Sequence, residues 1–171
     1  GNYTFISGTD TIADPRTGQL IGGAHAFGDY WGAQDAPVAF ITGSELYFII
    51  AEAEFVAGNE DVAADTLVAA VAENIEKLGV GSAAWLTEYT SYVATLSGDD
   101  LLEEIMTQKY IALFVNPEAF VDWRRTGYPV LTPASGSEIP RRFPYSTEER
   151  LYNDNIPKLV SIFARNWFDK E

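Results

Sequence analysis

Leu102 to Pro129 reads LEEIMTQKYIALFVNPEAFVDWRRTGYP, and this stretch decides what kind of fold the chain can have. Just ahead of it, Asp100 with Glu103 offers a capping box, and Leu102, Ile105, Met106, Lys109 and Leu113 follow at helical spacing. Asn116-Pro117 then restarts the chain, because asparagine caps a helix well and proline suits the first helical position. The second helix runs through Trp123 and ends near Gly127. A pair of short helices is therefore predicted.

Upstream, Thr42 precedes Glu45 by three positions, another capping box, and Leu46, Ile49, Ile50 and Ala53 set out an apolar stripe that Gly58 should stop. A second helix begins near the acidic Glu60 and Asp61 and repeats the stripe with Val68, Val71, Ile75 and Leu78 up to Gly79. So short a connection forces these helices antiparallel, as in the unit of tetratricopeptide arrays. Trp85, Tyr89, Val93 and Leu96 predict a short amphipathic helix between Gly81 and Gly98.

The flanks differ. Residues 1–41 are rich in Gly, Thr, Asp and aromatics, with Asp14-Pro15 and Gly22-Gly23 as breakers, which predicts an irregular wrapping segment with short extended pieces. Residues 128–171 carry five prolines from Pro129 to Pro157, which exclude long regular elements and leave loop with a few short strands, anchored by Phe143, Tyr145, Trp167 and Phe168. Gly1 ahead of Tyr3-Thr4-Phe5-Ile6 reads as the start of a piece cut from a longer protein.

With 171 residues and 47% hydrophobic content, one globular domain can bury a sizeable core. Cysteine is absent, which removes disulfides and cysteine metal sites, and no apolar run approaches the ~20 residues of a membrane helix. The net charge of -14 is concentrated in Gly43 to Glu104, with one basic and thirteen acidic side chains, whereas Ile105 to Glu171 has nine basic and eight acidic. Such a field disfavours nucleic acid and anionic lipid, and its plainest reading is a solvated acidic helical face.

The quoted helix pair resembles the signature of the SusD/RagB family. Ile139 to Tyr145 (IPRRFPY), with Asn153 and Asn155 beyond it, resembles that family's closing segment. Ala36-Pro37-Val38, Ile41-Thr42 and the helix from Glu45 to Ala57 are similar to its first C-terminal tetratricopeptide-like helix. Ser146, Phe120 and Phe168 depart from the family pattern, at positions where proline or tryptophan is frequent. The resemblance covers most of Ala36 to Asp169 and implies the C-terminal portion of an outer-membrane, surface-exposed, lipid-anchored protein of Bacteroidetes. Its implied partners are an oligosaccharide or other nutrient ligand and a SusC-like TonB-dependent transporter. The lipid anchor itself would lie outside this chain.

Catalytic sets are hard to assemble from these residues. His25 is the only histidine and sits in the Gly-flanked segment Gly23-Ala24-His25-Ala26, which reads as ordinary loop. Glu103-Glu104, Asp99-Asp100 and Glu148-Glu149 are explained by capping and solvation, although a glycosidase needs only two carboxylates. Asp122-Trp123-Arg124-Arg125 suits a helix C-terminus, and Arg141-Arg142 between prolines reads as a clamp with one arginine pairing to the acidic helices. The resemblance likewise implies a structural signature for Asp122, Trp123, Arg124, Arg125, Arg141 and Arg142. Sugar binding needs exposed rings beside polar groups, and the candidates are Tyr30 and Trp31, beside Asp29 and Gln34, and Trp85 with Tyr89 and Tyr92. Core packing is the competing reading of each.

The sequence thus predicts a mostly α protein of tetratricopeptide-like hairpins over 42–127, flanked by irregular segments and forming one SusD-like C-terminal domain. It is expected to be no enzyme, to need no cofactor or metal, and to bind glycans or nutrients. A tetratricopeptide-like protein-interaction module is the alternative, and a glycoside hydrolase the third reading.

Overall fold

Thr42 opens the helical part as the sequence predicts: its Oγ1 accepts the Glu45 N–H at 3.2 Å and starts α1, Gly43–Val56. The computed structural model describes residues 12–13, 20–21, 35, 38–134, 136–156 and 161–169. Helix α1 ends at Gly58, which takes φ +85° while the Gly58 and Asn59 N–H groups bond back to the Phe55 and Glu54 carbonyls. That left-handed turn needs a residue without Cβ. Helix α2, Glu60–Leu78, returns antiparallel and stops at Gly79 in the same way, with φ +63°. Helices α3, Ala83–Val93, α4, Gly98–Ala112, and α5, Glu118–Thr126, follow.

The core draws on four of these helices. Phe48 and Ala51 from α1 meet Ala63, Leu67 and Ala70 from α2, Tyr89 and Val93 from α3, and Leu101, Ile105 and Met106 from α4. Each large side chain buried here contributes roughly 1.5–3 kcal/mol. Small residues on both α1 and α2 let the two helices approach closely, and their contact is the most extensive between any two elements. The chain is mostly α with tetratricopeptide-like hairpins, as the sequence predicts.

The predicted stripe of α1 is corrected. Leu46, Ile49 and Ile50 are 39–51% exposed and Ala53 is exposed too, whereas Phe48 and Ala51 are fully buried. Helix α1 is apolar on most of its circumference, so periodicity alone could not choose the inward face. The buried face is the one that also turns Glu52 toward Lys109 of α4. In α2 the predicted Val71 is buried and Val68 and Ile75 pack at the edge of the core, whose fully buried α2 residues are Ala63, Leu67 and Ala70, while Leu78 is exposed.

Helix α4 also starts earlier than predicted. Its first residue is Gly98, whose N–H donates to Glu60 Oε2 at 3.1 Å, so a carboxylate of α2 takes the place of the Asp100 cap. At α5 Pro117 stands at the cap and not at the first helical position as predicted, while Asn116 Oδ1, one residue earlier, accepts the Glu118 N–H at 3.0 Å.

The tail contains no strand among its described residues. It carries instead the short helix α6, Thr147–Tyr152, where Ser146 Oγ accepts the Glu149 N–H. Its anchoring differs as well, because Trp167 is 96% exposed and Phe143 and Tyr145 are exposed, while Phe168 lies half-buried against Arg124.

Contacts divide the chain into two units, Gly1–Phe40 and Ile41–Glu171. In the first, strands β1, Ile12–Ala13, and β2, Leu20–Ile21, pair antiparallel with Ile12 opposite Ile21. Most of residues 1–41, and with them the predicted wrapping, lie outside the described residues.

Candidate functional site

Three of the five predicted ligand-binding aromatics lie together on α3. Ser82 Oγ accepts the Trp85 N–H at 3.2 Å and fixes the first turn, so Trp85, Tyr89 and Tyr92 rise on adjoining positions of one helix. Trp85 and Tyr89 stack at 5.1 Å with 6° between their planes, and Tyr92 lies 6.2 Å from Tyr89. Tyr89 is only 7% exposed and takes the core reading; Trp85 at 42% and Tyr92 at 48% present ring surface to solvent.

Glu104 of α4 organises this cluster. Its Oε1 accepts from the Tyr89 hydroxyl and from Gln108 Nε2, both at 2.9 Å, and its Oε2 accepts a long 3.5 Å bond from Tyr92. Burial, reinforced by the Glu104 charge, raises the Tyr89 pKa above its ordinary value, and the Glu104 charge is the first cause of the rise at Tyr92. Both hydroxyls therefore remain proton donors at neutral pH. The patch offers two exposed rings for the apolar face of a sugar and hydroxyl, amide and carboxylate groups for its hydroxyls. Glu104 thus does more than the capping and solvation read for it in the sequence.

A second cluster joins α1, α4 and α5. Lys109 Nζ lies 2.8 Å from Asp122 Oδ2 and 3.5 Å from Glu52 Oε2. Arg125 forks onto Glu52, with Nη2 to Oε2 at 3.0 Å, and reaches Asp122 Oδ1 at 2.7 Å. The Glu52 hydrogen bonds, outweighing burial, raise the Arg125 pKa above its ordinary value. Two cations and two carboxylates satisfy one another, so this cluster is structural.

The third cluster is the tail clamp. Arg124 Nη1 donates to the Arg141 carbonyl at 2.9 Å, and its Cζ lies 4.4 Å from the Phe120 centroid and 4.9 Å from that of Phe168. Arg141 Cζ sits 4.3 Å from the Trp123 centroid, and Arg142 Nη2 donates to Asn166 Oδ1 at 2.8 Å. Both the Arg141 and Arg142 N–H groups donate to the Ile162 carbonyl. Phe143 meets Phe120 edge-on at 5.3 Å, and Phe120 stacks near Trp123, so the two segments quoted above fold against each other. The arginine expected to pair with the acidic helices does not: among the described residues neither Arg141 nor Arg142 forms an ion pair, and they meet a ring and an amide instead.

Tyr30, Trp31 and His25 lie outside the described residues. Sequence reasoning missed Glu104 and Gln108 beside the aromatics, and Glu52 with Lys109 beside Asp122 and Arg125. These partners come from other helices, and only the lone lysine amid the apolar positions of α4 hinted at a buried charge needing acids. Among the described residues no group of His, Asp and Glu is placed to hold a metal ion, and no helix is long and apolar enough to cross a membrane.

Helical hairpins with a tail clamped onto α5 define the class as a tetratricopeptide-like helical protein. A family model described as SusD-like, starch-binding associating with outer membrane, matches residues 9–146, and the chain belongs to that family. The family associates this chain with glycan binding at the outer membrane. No curated protein and no solved structure matches the chain.

Proposed function

We propose that the protein captures glycans at the cell surface without transforming them and passes them to a SusC-like TonB-dependent transporter. The observation that carries this reading is the pair of half-exposed rings, Trp85 and Tyr92, on either side of Tyr89, whose hydroxyl, like that of Tyr92, donates to the Glu104 carboxylate. Family membership supports the ligand class, since the matching model is described as starch-binding. Maltoheptaose titrated calorimetrically into the full chain should bind, and Trp85→Ala should weaken it about tenfold, as loss of one stacking ring of ~1–1.5 kcal/mol implies. No reducing sugar should be released during the titration. Undiminished binding by Trp85→Ala would move the site elsewhere, and steady sugar release would make the protein a hydrolase.

A second reading, a tetratricopeptide-like protein-interaction module, draws on the exposed apolar face of α1 formed by Leu46, Ile49, Ile50 and Val56. Saccharide-independent capture of a purified apolar helical peptide, lost in Ile49→Glu, would favour it.

A further inference from the structure

A cavity of about 410 Å³ lies where the tail meets α5, walled by Trp123, Ser137, Glu138, Arg141, Phe163 and Arg165 among others. Ligand clefts run from about 300 to 1,000 Å³, so this one suits a small group. Arg141 is anchored in this wall. Its backbone N–H donates to the Ile162 carbonyl at 2.7 Å, its backbone carbonyl accepts from Arg124 at 2.9 Å, and its Cζ lies over Trp123, 4.3 Å from the ring centre. Yet Arg141 Nη1 is buried and has no hydrogen-bond partner among the described residues. A buried, unpartnered donor on a charged group is costly, which distinguishes it from Arg125, whose fork is filled by Glu52. Glu138 lines the same cavity without forming an ion pair to Arg141 among the described residues.

We infer that this cavity binds the carboxylate of an acidic sugar, a hexuronic acid, with Arg141 as the residue that holds the anion. A planar guanidinium matches a carboxylate in geometry and charge. The rest of the wall suits a pyranose: the Phe163 ring is 42% exposed, and Ser137 and Glu138 can take hydroxyl groups. Glu138 also argues for a single carboxylate in the cavity over a phosphate dianion. The cavity lies within Ile105 to Glu171, the part of the chain where basic side chains outnumber acidic ones, nine to eight, in a protein of net charge -14. The sugar identity rests on the glycan-binding reading, whereas the anion chemistry rests on Arg141 alone.

The test is calorimetric titration of the full chain with trigalacturonate and, separately, with the neutral maltotriose. Trigalacturonate should bind about tenfold or more tightly than maltotriose, weaken with added salt, and lose about tenfold in Arg141→Lys, which keeps the charge and the ring contact but not the fork. In the wild-type protein its titration should shift the amide NMR signals of Ser137, Glu138 and Phe163, a readout that needs no variant. Equal shifts at Ser137, Glu138 and Phe163 by the two sugars, no loss in Arg141→Lys, shifts confined to α3, or equal binding by an acidic peptide would each overturn the inference. Binding of trigalacturonate alone, with no maltotriose affinity and shifts around Phe163, would uphold this site while removing the Trp85 reading.

Discussion

Two regions hold α5 in place, and they use arginine in opposite ways. On the hairpin side, Arg125 and Lys109 meet Glu52 and Asp122, so every charge has a partner of opposite sign. On the tail side, Arg124, Arg141 and Arg142 have no carboxylate within ion-pair distance among the described residues. They are held by the rings of Phe120, Phe168 and Trp123, by a carbonyl, and by the Asn166 amide. A closed set of charges fixes helices and leaves nothing for a ligand. An arginine held by ring faces keeps hydrogen-bond capacity that an outside acceptor can use.

Cutting the closed set should cost most. Lys109→Met leaves Glu52 and Asp122 sharing one cation in a mostly buried place, and a loss of about 3 to 5 kcal/mol in urea denaturation is expected. A loss below about 1 kcal/mol would mean that the network adds no more than an exposed surface pair does. The two faces of α1 sharpen the same contrast without charge. Phe48→Ala should cost about 3 kcal/mol or more through cavity formation, whereas Ile49→Ala, at a 43% exposed position, should stay within about 0.5 kcal/mol. Equal losses would show that the outer face of α1 is packed. On the tail side, Arg124→Met removes two ring contacts and one carbonyl hydrogen bond, for about 1 to 2 kcal/mol. Hydrogen exchange at the Arg141 and Arg142 amides should quicken while that of α1 and α2 does not. Uniform quickening would merge the two regions into one cooperative unit.

Helix limits were legible because their determinants are local. Thr42, Gly58 and Gly79 act within a few residues of themselves, and the structure finds each at its expected helix end. Helix α6 has a local signal too, Ser146 followed three positions on by Glu149, which a reading of the tail by its prolines misses. Faces were less legible. An all-round apolar helix such as α1 has no preferred side until Lys109 and Arg125 select Glu52, and those residues are 57 and 73 positions away. The aromatic patch fell between these cases. Trp85, Tyr89 and Tyr92 share a helix and could be grouped from the sequence, whereas Glu104 joins them only through the packing of α3 against the core beside α4.

That packing gives the smallest expected effect and the sharpest signature. The Tyr89 hydroxyl is raised above its ordinary value of 10.0 by burial and by Glu104, so the native state holds the proton more tightly than the unfolded chain. The stabilisation is complete below about pH 10 and is lost as the pH climbs toward the native value, with a slope of at most about 1.4 kcal/mol per pH unit for this one group. Tyr92 adds a weaker contribution of the same sign, because its half-exposed ring lets solvent screen Glu104. Tyr89→Phe should cost about 1 kcal/mol at pH 7 through the lost hydrogen bond, yet should flatten the decline above pH 10. Urea midpoints followed from pH 7 to 11, with tyrosinate absorbance recorded alongside, measure both. If wild type and variant decline in parallel, the hydroxyl does not lie against Glu104 in solution, and the aromatic patch loses the carboxylate that orients it.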